Sequence, residues 1–149
     1  MGGAEPSYHP STSHSPATIV YAHGYFASAL HEIAHWCVAG RRRRQLHDFG
    51  YWYEPDGRPY AQQVAFERVE VVPQALESLF HAAAGTEFHA SADNLSGGAA
   101  ALASFRVRVL ERAQTFQQQG LPPRAAAWCR ALQQARMAGM FGFQHRVLG

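Results

Sequence analysis

The sequence predicts an α+β domain, mostly helical with a short sheet. Three observations predict it. "ATIVYAH" at residues 17–23 is a β-branched and aromatic run of strand character. "FASALHEIAHWCVA" follows almost at once over 26–39, rich in alanine and free of proline, as a helix requires. Helical patterns then fill most of the remaining chain, over 60–84, 99–119 and 123–136.

A length of 149 residues fits one ordinary domain. The apolar share, 47%, supplies a core, and the charged share, 16%, is too low for disorder beyond the ends. Residues 1–17, rich in Pro, Ser, Gly and His, are expected to be extended or poorly ordered. A single domain over 18–138 and a tail over 139–149 complete the expected organisation. A net charge of +2 gives no global basicity, so no direct nucleic-acid partner is expected. No run of eighteen apolar residues occurs and the N-terminus lacks the apolar middle of a signal peptide, so no membrane is implicated. Cys37 and Cys129 are far apart and form no CxxC pair, which argues against a cysteine zinc site and fits a cytoplasmic protein. A monomer is expected.

The elements follow in order. The strand ends near Gly24, and Gly40 stops the helix over 26–39. Arg41 to Arg44 come next, where positive charge suits the C-terminal end of a helix dipole. "HDFGYWYEPDGRPY" is an aromatic loop broken by Gly, Pro and Asp-Gly. The helix over 60–84 is closed by Gly85. Pro73 in its interior removes one backbone hydrogen bond and should kink the helix or split it in two. "TEFHASADNLSGG" reads as a strand or an irregular crossing, and "GLPP" separates the last two helices.

"HEIAH" at 31–35 carries the chemistry. Residues four apart stack on one helix face, so His31 and His35 can point two imidazoles at one ion. Glu32 lies about 100° around the helix, able to reach water or substrate at the metal but not aligned as a ligand. Two histidines need a third protein ligand, with positions left open for water, oxygen or substrate. The helix over 60–84 is apolar on most faces. Gln63, Glu67, Glu70, Gln74, Glu77 and His81 form its remaining stripe. The stripe is either solvated or turned in part to the metal. In the second case Glu70, central in the stripe, is the expected ligand, with Glu67 one turn earlier as the runner-up. His23, at the strand end just before the metal helix, is either structural or a substrate-binding group. His47, His81 and His89 have weaker claims, and an Asx turn explains Asp93 and Asn94 as well as a functional role does.

"AHGYFASALHEIAHWCVAG", "DFGYWYEPDGR", "FERVEVVPQALE" and "DNL" together resemble the bacterial elongation factor P hydroxylase family. The resemblance runs in order from "EPSYHP" to "ALQQ", with its first two motifs near-complete and the C-terminal third matching loosely. It implies a small zincin-like domain built on the His-Glu-x-x-His helix. It also implies hydroxylation of the modified lysine of elongation factor P after a β-lysyl group has been attached. By position it makes His31 and His35 metal ligands and Glu70 the carboxylate ligand. The family carries a helical segment ahead of "EPSYHP", and its counterpart of "RRRR" is less basic than here.

Two histidines and one carboxylate suit Fe(II) activating oxygen, the metal the resemblance favours, and equally Zn(II) activating water. No His-x-Asp or His-x-Glu is present, so no 2-oxoglutarate motif is found. Beside such a site, Tyr51, Trp52 and Tyr53 are either core residues or the wall that orders the methylenes of a lysyl-lysine arm. Asp48, Glu54 and Asp56 are candidates to receive its ammonium groups. The arginine run is either a solvated helix end or a docking patch for an acidic elongation factor P. Three functions are consistent with the residues: a metal-dependent protein-lysine hydroxylase, a small zinc metallopeptidase with Glu32 as general base, or a non-catalytic metal-stabilised adaptor.

Overall fold

The computed structural model describes residues 2–3, 5–47, 60–91 and 98–141. Asp48, Tyr51, Trp52, Tyr53, Glu54, Asp56, Asp93, Asn94 and the side chain of Glu67 lie outside the described residues. The elements are β1 (Gly2–Gly3), β2 (Ser7–His9), β3 (Thr18–Ala22), α1 (Phe26–Val38), α2 (Tyr60–Ala84), α3 (Gly98–Gln119) and α4 (Pro123–Met137). The chain is thus mostly helical with a short sheet, as the α+β reading expects.

The sheet has the order β1-β3-β2. β3 takes the centre because its β-branched run is the best strand former available. β2 lies antiparallel to it with Tyr8 opposite Ile19, and β1 lies parallel with Gly2 opposite Tyr21. Residues 7–9 are therefore held by ladder bonds. The Tyr8 hydroxyl also donates to the Arg44 carbonyl at 2.8 Å, tying the sheet to the chain beyond α1.

The step from β3 into α1 is tight. His23 and Gly24 both take left-handed backbone, φ 52° and 74°, and the Tyr25 amide donates back to the Ala22 carbonyl at 3.2 Å. The Ala22 amide in turn donates to the Ser28 hydroxyl, one turn into α1, at 3.0 Å. Strand end and helix start are locked together, which fixes the direction in which α1 leaves.

Central to the packing is α2, against which α1, α3 and α4 all lie. The core joins Leu30, Ala34 and Cys37 from α1 to Ala75, Leu76, Phe80, Ala83 and Ala84 from α2, with Ala113, Phe116, Ala125 and Leu132 from the last two helices. Half of these are alanines, which lets helices approach closely. Pro73 neither splits nor ends α2, which runs unbroken from Tyr60 to Ala84. An interior proline costs about 3 kcal/mol. Burial of Leu76 and Phe80 just beyond it contributes roughly 1.5–3 kcal/mol each, enough to offset that cost. Val69 lies in the same i, i+3/i+4 row as Pro73, Leu76 and Phe80, yet it is 46% exposed.

The C-terminal end of α1 is satisfied from a distant part of the chain. Nη2 of Arg124, on α4, lies 3.0, 2.9 and 2.6 Å from the carbonyls of Trp36, Cys37 and Ala39. These are the orphan acceptors of a helix end. The neighbouring arginine run does not take this place: Arg41 and Arg42 are exposed beyond the helix, and Arg43–Gln45 form one 3-10 turn. Among the described residues no helix is long and apolar enough to cross a membrane.

Candidate metal centre

Leu30, Ala34 and Cys37 make the buried face of α1, and its histidines stand on the flank of that face. On α2 the described part of the polar stripe is buried rather than solvated: Glu70, Gln74, Glu77 and His81 are all enclosed. Ionisable groups are buried only where partners meet them, and here the partners are the histidines of α1.

The contacts are specific. His35 Nε2 lies 2.9 Å from Glu70 Oε1, and His31 Nε2 lies 3.8 Å from Glu70 Oε2. The two Nε2 atoms are 3.2 Å apart, with the rings edge-on at 69°. One ligand atom from each of His31, His35 and Glu70 falls within 4.8 Å of the others, a spacing at which the three could hold one cation. Glu70 is steadied by Gln74, whose Nε2 donates to Oε2 at 3.1 Å. Gln74 is itself clamped, accepting from the Ser91 amide at 3.0 Å and donating to the Ser91 carbonyl. His31 is steadied from its other side, where Nδ1 lies 2.8 Å from Glu77 Oε2.

The electrostatics match this geometry. Burial alone would lower the pKa of His31. The hydrogen bond and charge of Glu77, aided by Glu70 and Glu32, outweigh it and raise the value from 6.5 to about 9. Burial alone would raise Glu70 and Glu77. Hydrogen bonds and charge from the histidines, His35 foremost for Glu70 and His31 for Glu77, bring both below the ordinary carboxylate value. Two carboxylates and two imidazoles therefore form a compact cluster, in which a cation can replace the proton on His31.

The remaining candidates stand apart from this cluster. Glu32 is half-buried one residue on from His31, and its charge reaches that ring, but it is not among the convergent ligand atoms. His23 is exposed in the left-handed turn, its ring 5.9 Å from that of Tyr25. His47 packs edge-on to His9, and His89 lies 3.8 Å from Glu87 in an exposed pair. Burial pushes the Cys37 thiol up to about 11 and raises Cys129 as well, so both stay protonated thiols at neutral pH.

Sequence reasoning chose the stripe but underrated part of it. Glu77 and His81 sit seven and eleven residues after Glu70, and that spacing placed them on the same face. What the spacing could not give was which of the stripe's carboxylates approaches Nε2 and which approaches Nδ1.

The family model for "Elongation factor P hydroxylase" matches residues 1–143. The elongation factor P lysine hydroxylase of Haemophilus influenzae is 51% identical over 132 residues, covering 88% of this chain and 74% of that protein. The matched range takes in the His-Glu-x-x-His helix and the buried residues that face it, and the chain belongs to the elongation factor P hydroxylase family.

Proposed function

We propose that the protein is a metal-dependent hydroxylase of the β-lysylated lysine of elongation factor P, a monooxygenase built on a zincin-like helix pair. His31, His35 and Glu70 would hold the metal, Fe(II) in preference to Zn(II). Bound there, Fe(II) would supply the activation of dioxygen that a C–H hydroxylation needs. The substrate is a translation factor, which places the work in the cytoplasm.

One observation carries the reading. The carboxylate of Glu70 is 7% exposed, while the His31 and His35 side chains are 28% and 36% exposed. The centre is thus closed on the α2 side and open on the other, as a site needs when a large protein substrate must present one long side chain.

The chain's own residues then have separable tasks. Glu77 and Gln74 hold the ligands in orientation. Glu32, half-buried beside His31, holds or moves a proton at the atom that enters from the open side. His23, at the corner of β3 and α1, would contact the incoming arm. Tyr51 and Tyr53 would order its methylenes, and Asp48 and Asp56 would receive its ammonium groups.

The test is incubation with β-lysylated elongation factor P, Fe(II) and excess ascorbate in air, the ascorbate supplying the two electrons that reduce the second oxygen atom to water, followed by mass measurement of the substrate. A gain of one oxygen atom is the expected result. Cleavage of the polypeptide with no such gain would replace this reading with the zinc peptidase, and no change of either kind would leave the non-catalytic adaptor.

A further inference from the structure

Glu77 lies on α2 two turns after Glu70 and does not converge on the ligand cluster. It faces two histidines at once. Its Oε2 is 2.8 Å from His31 Nδ1, and its Oε1 is 3.7 Å from His81 Nε2. His81 continues the line, with Nδ1 2.7 Å from the Thr86 hydroxyl. Glu77 and His81 are both buried, and Thr86 is half-buried.

Thr86 occupies this position because of how α2 ends. Gly85 takes left-handed backbone at φ +77°, its amide donating to the Ala82 carbonyl at 3.3 Å while the Thr86 amide donates to the His81 carbonyl at 2.9 Å. This paired bonding is the Schellman arrangement of a helix C-terminus, and it folds the residue after the glycine back over the last turn. A side chain at Gly85 would be strained by this left-handed backbone, and its Cβ would also displace the Arg136 side chain, whose Nε would lie 2.6 Å away. The helix stop therefore delivers a hydroxyl to a histidine that is itself directed at Glu77.

We propose that Glu77, backed by His81 and Thr86, is a positioning residue that fixes the tautomer and ring orientation of His31 for metal binding. The inference rests on His31 being a ligand. A carboxylate on Nδ1 keeps one imidazole proton there, so the proton that a metal displaces is the one on Nε2, on the side where Nε2 of His35 and Glu70 lie. With the Nε2 proton of His81 turned to Glu77, Nδ1 of His81 accepts from the Thr86 hydroxyl. The line then reads hydroxyl, imidazole, carboxylate, imidazole, hydrogen-bonded at its two ends and joined in the middle by the longer 3.7 Å approach of His81 to Glu77. A plain buried ion pair would need neither the second histidine nor the hydroxyl.

Co(II) alone is the probe, since its affinity and visible spectrum report ligand geometry without turnover. Removing a group that orients a metal-bound histidine weakens metal binding by about 10–100-fold. Glu77→Ala should show that loss together with an altered Co(II) spectrum. Glu77→Gln should recover most of the affinity, because its amide oxygen still accepts from Nδ1. If Glu77→Ala does not fold, Thr86→Val decides: it keeps the turn and the side-chain shape but removes the hydroxyl. It should fold, change the spectrum and lose about tenfold at most. Wild-type affinity and spectrum in a folded Glu77→Ala, or in Thr86→Val when Glu77→Ala is lost, would overturn the proposal while leaving the metal centre standing. A wild-type chain that takes up no Co(II) would overturn the metal centre and this inference together.

Discussion

The guanidinium of Arg124 stacks over the indole of Trp36, 4.7 Å from its ring centroid, while its Nη2 reaches the Trp36 carbonyl at 3.0 Å. One side chain of α4 thus holds both the backbone of the last turn of α1 and the indole that this turn carries. Arg124→Ala should lower stability by roughly 1–3 kcal/mol through the lost charge-assisted hydrogen bonds and the cation–π contact. Arg124→Lys should recover little, because an ammonium cannot stack flat and serve three carbonyls. Chemical denaturation of both variants checks this, and wild-type stability in the lysine variant would show that charge alone suffices.

His31→Ala and His35→Ala should each abolish metal binding while the protein still folds. The metal-free variants should differ from each other. Removing His31 strips Glu77 of its nearest partner and leaves a buried carboxylate with only His81 at 3.7 Å. That penalty is about 1–3 kcal/mol, and it is absent from His35→Ala, where Glu70 keeps the Gln74 hydrogen bond. Metal content measured alongside melting temperature separates the two effects. Full metal stoichiometry in either variant would refute the ligand assignment.

Stability of the metal-free protein should fall on both sides of a mildly acidic optimum. The pKa of His31 is raised by folding, from 6.5 to about 9. Its contribution is therefore complete below pH 6.5 and lost as pH rises through about 9, on the order of 3 kcal/mol at most. Glu70 and Glu77 are depressed on folding, so theirs is present above pH 4.5 and lost as pH falls through their lower folded values. Metal affinity should run the other way between pH 6.5 and 9, because binding must displace the His31 proton. Melting curves with and without metal across this range should diverge. Parallel curves would mean that His31 does not lose a proton to the metal.

Glu32→Gln should keep full metal occupancy yet lose about 10²–10⁴-fold in turnover, the usual contribution of a positioned general acid or base. Occupancy should survive because Glu32 is not one of the convergent ligand atoms. Assay of metal content and oxygen transfer on the same preparation provides the check, and near-normal turnover would remove Glu32 from the chemistry.

The structure divides the arginine run. Arg41, Arg42 and Arg43 are exposed, whereas Arg44 is half-buried and its carbonyl receives the Tyr8 hydroxyl. A docking test should therefore replace the first three with Gln and spare Arg44. If they steer an acidic partner, the rate at low substrate should fall and lose its salt dependence, while turnover at saturation holds. Parallel salt curves for wild type and variant would return these residues to the role of a solvated helix end.

Local chemistry determined a good deal of this protein. β-Branched residues made β3, proline-free alanine-rich sequence made α1, and Gly85 ended α2 at the expected place, because each choice is settled within a turn or two of chain. The spacing of His31 and His35 was likewise legible, as was the stripe that supplies Glu70. Tertiary structure decided the rest. Only packing against α1, α3 and α4 shows that Glu70, Gln74, Glu77 and His81 are buried, that α2 passes through Pro73 intact, and that Val69 stays exposed. Only the approach of α1 to α2 sets Glu70 against Nε2 and Glu77 against Nδ1. Only the fold brings Arg124 to a helix end some 85 residues earlier in the chain. Periodicity gives an angle around one helix axis. It carries no information on the distance and rotation of the neighbouring helix, and those two quantities choose which nitrogen meets which carboxylate.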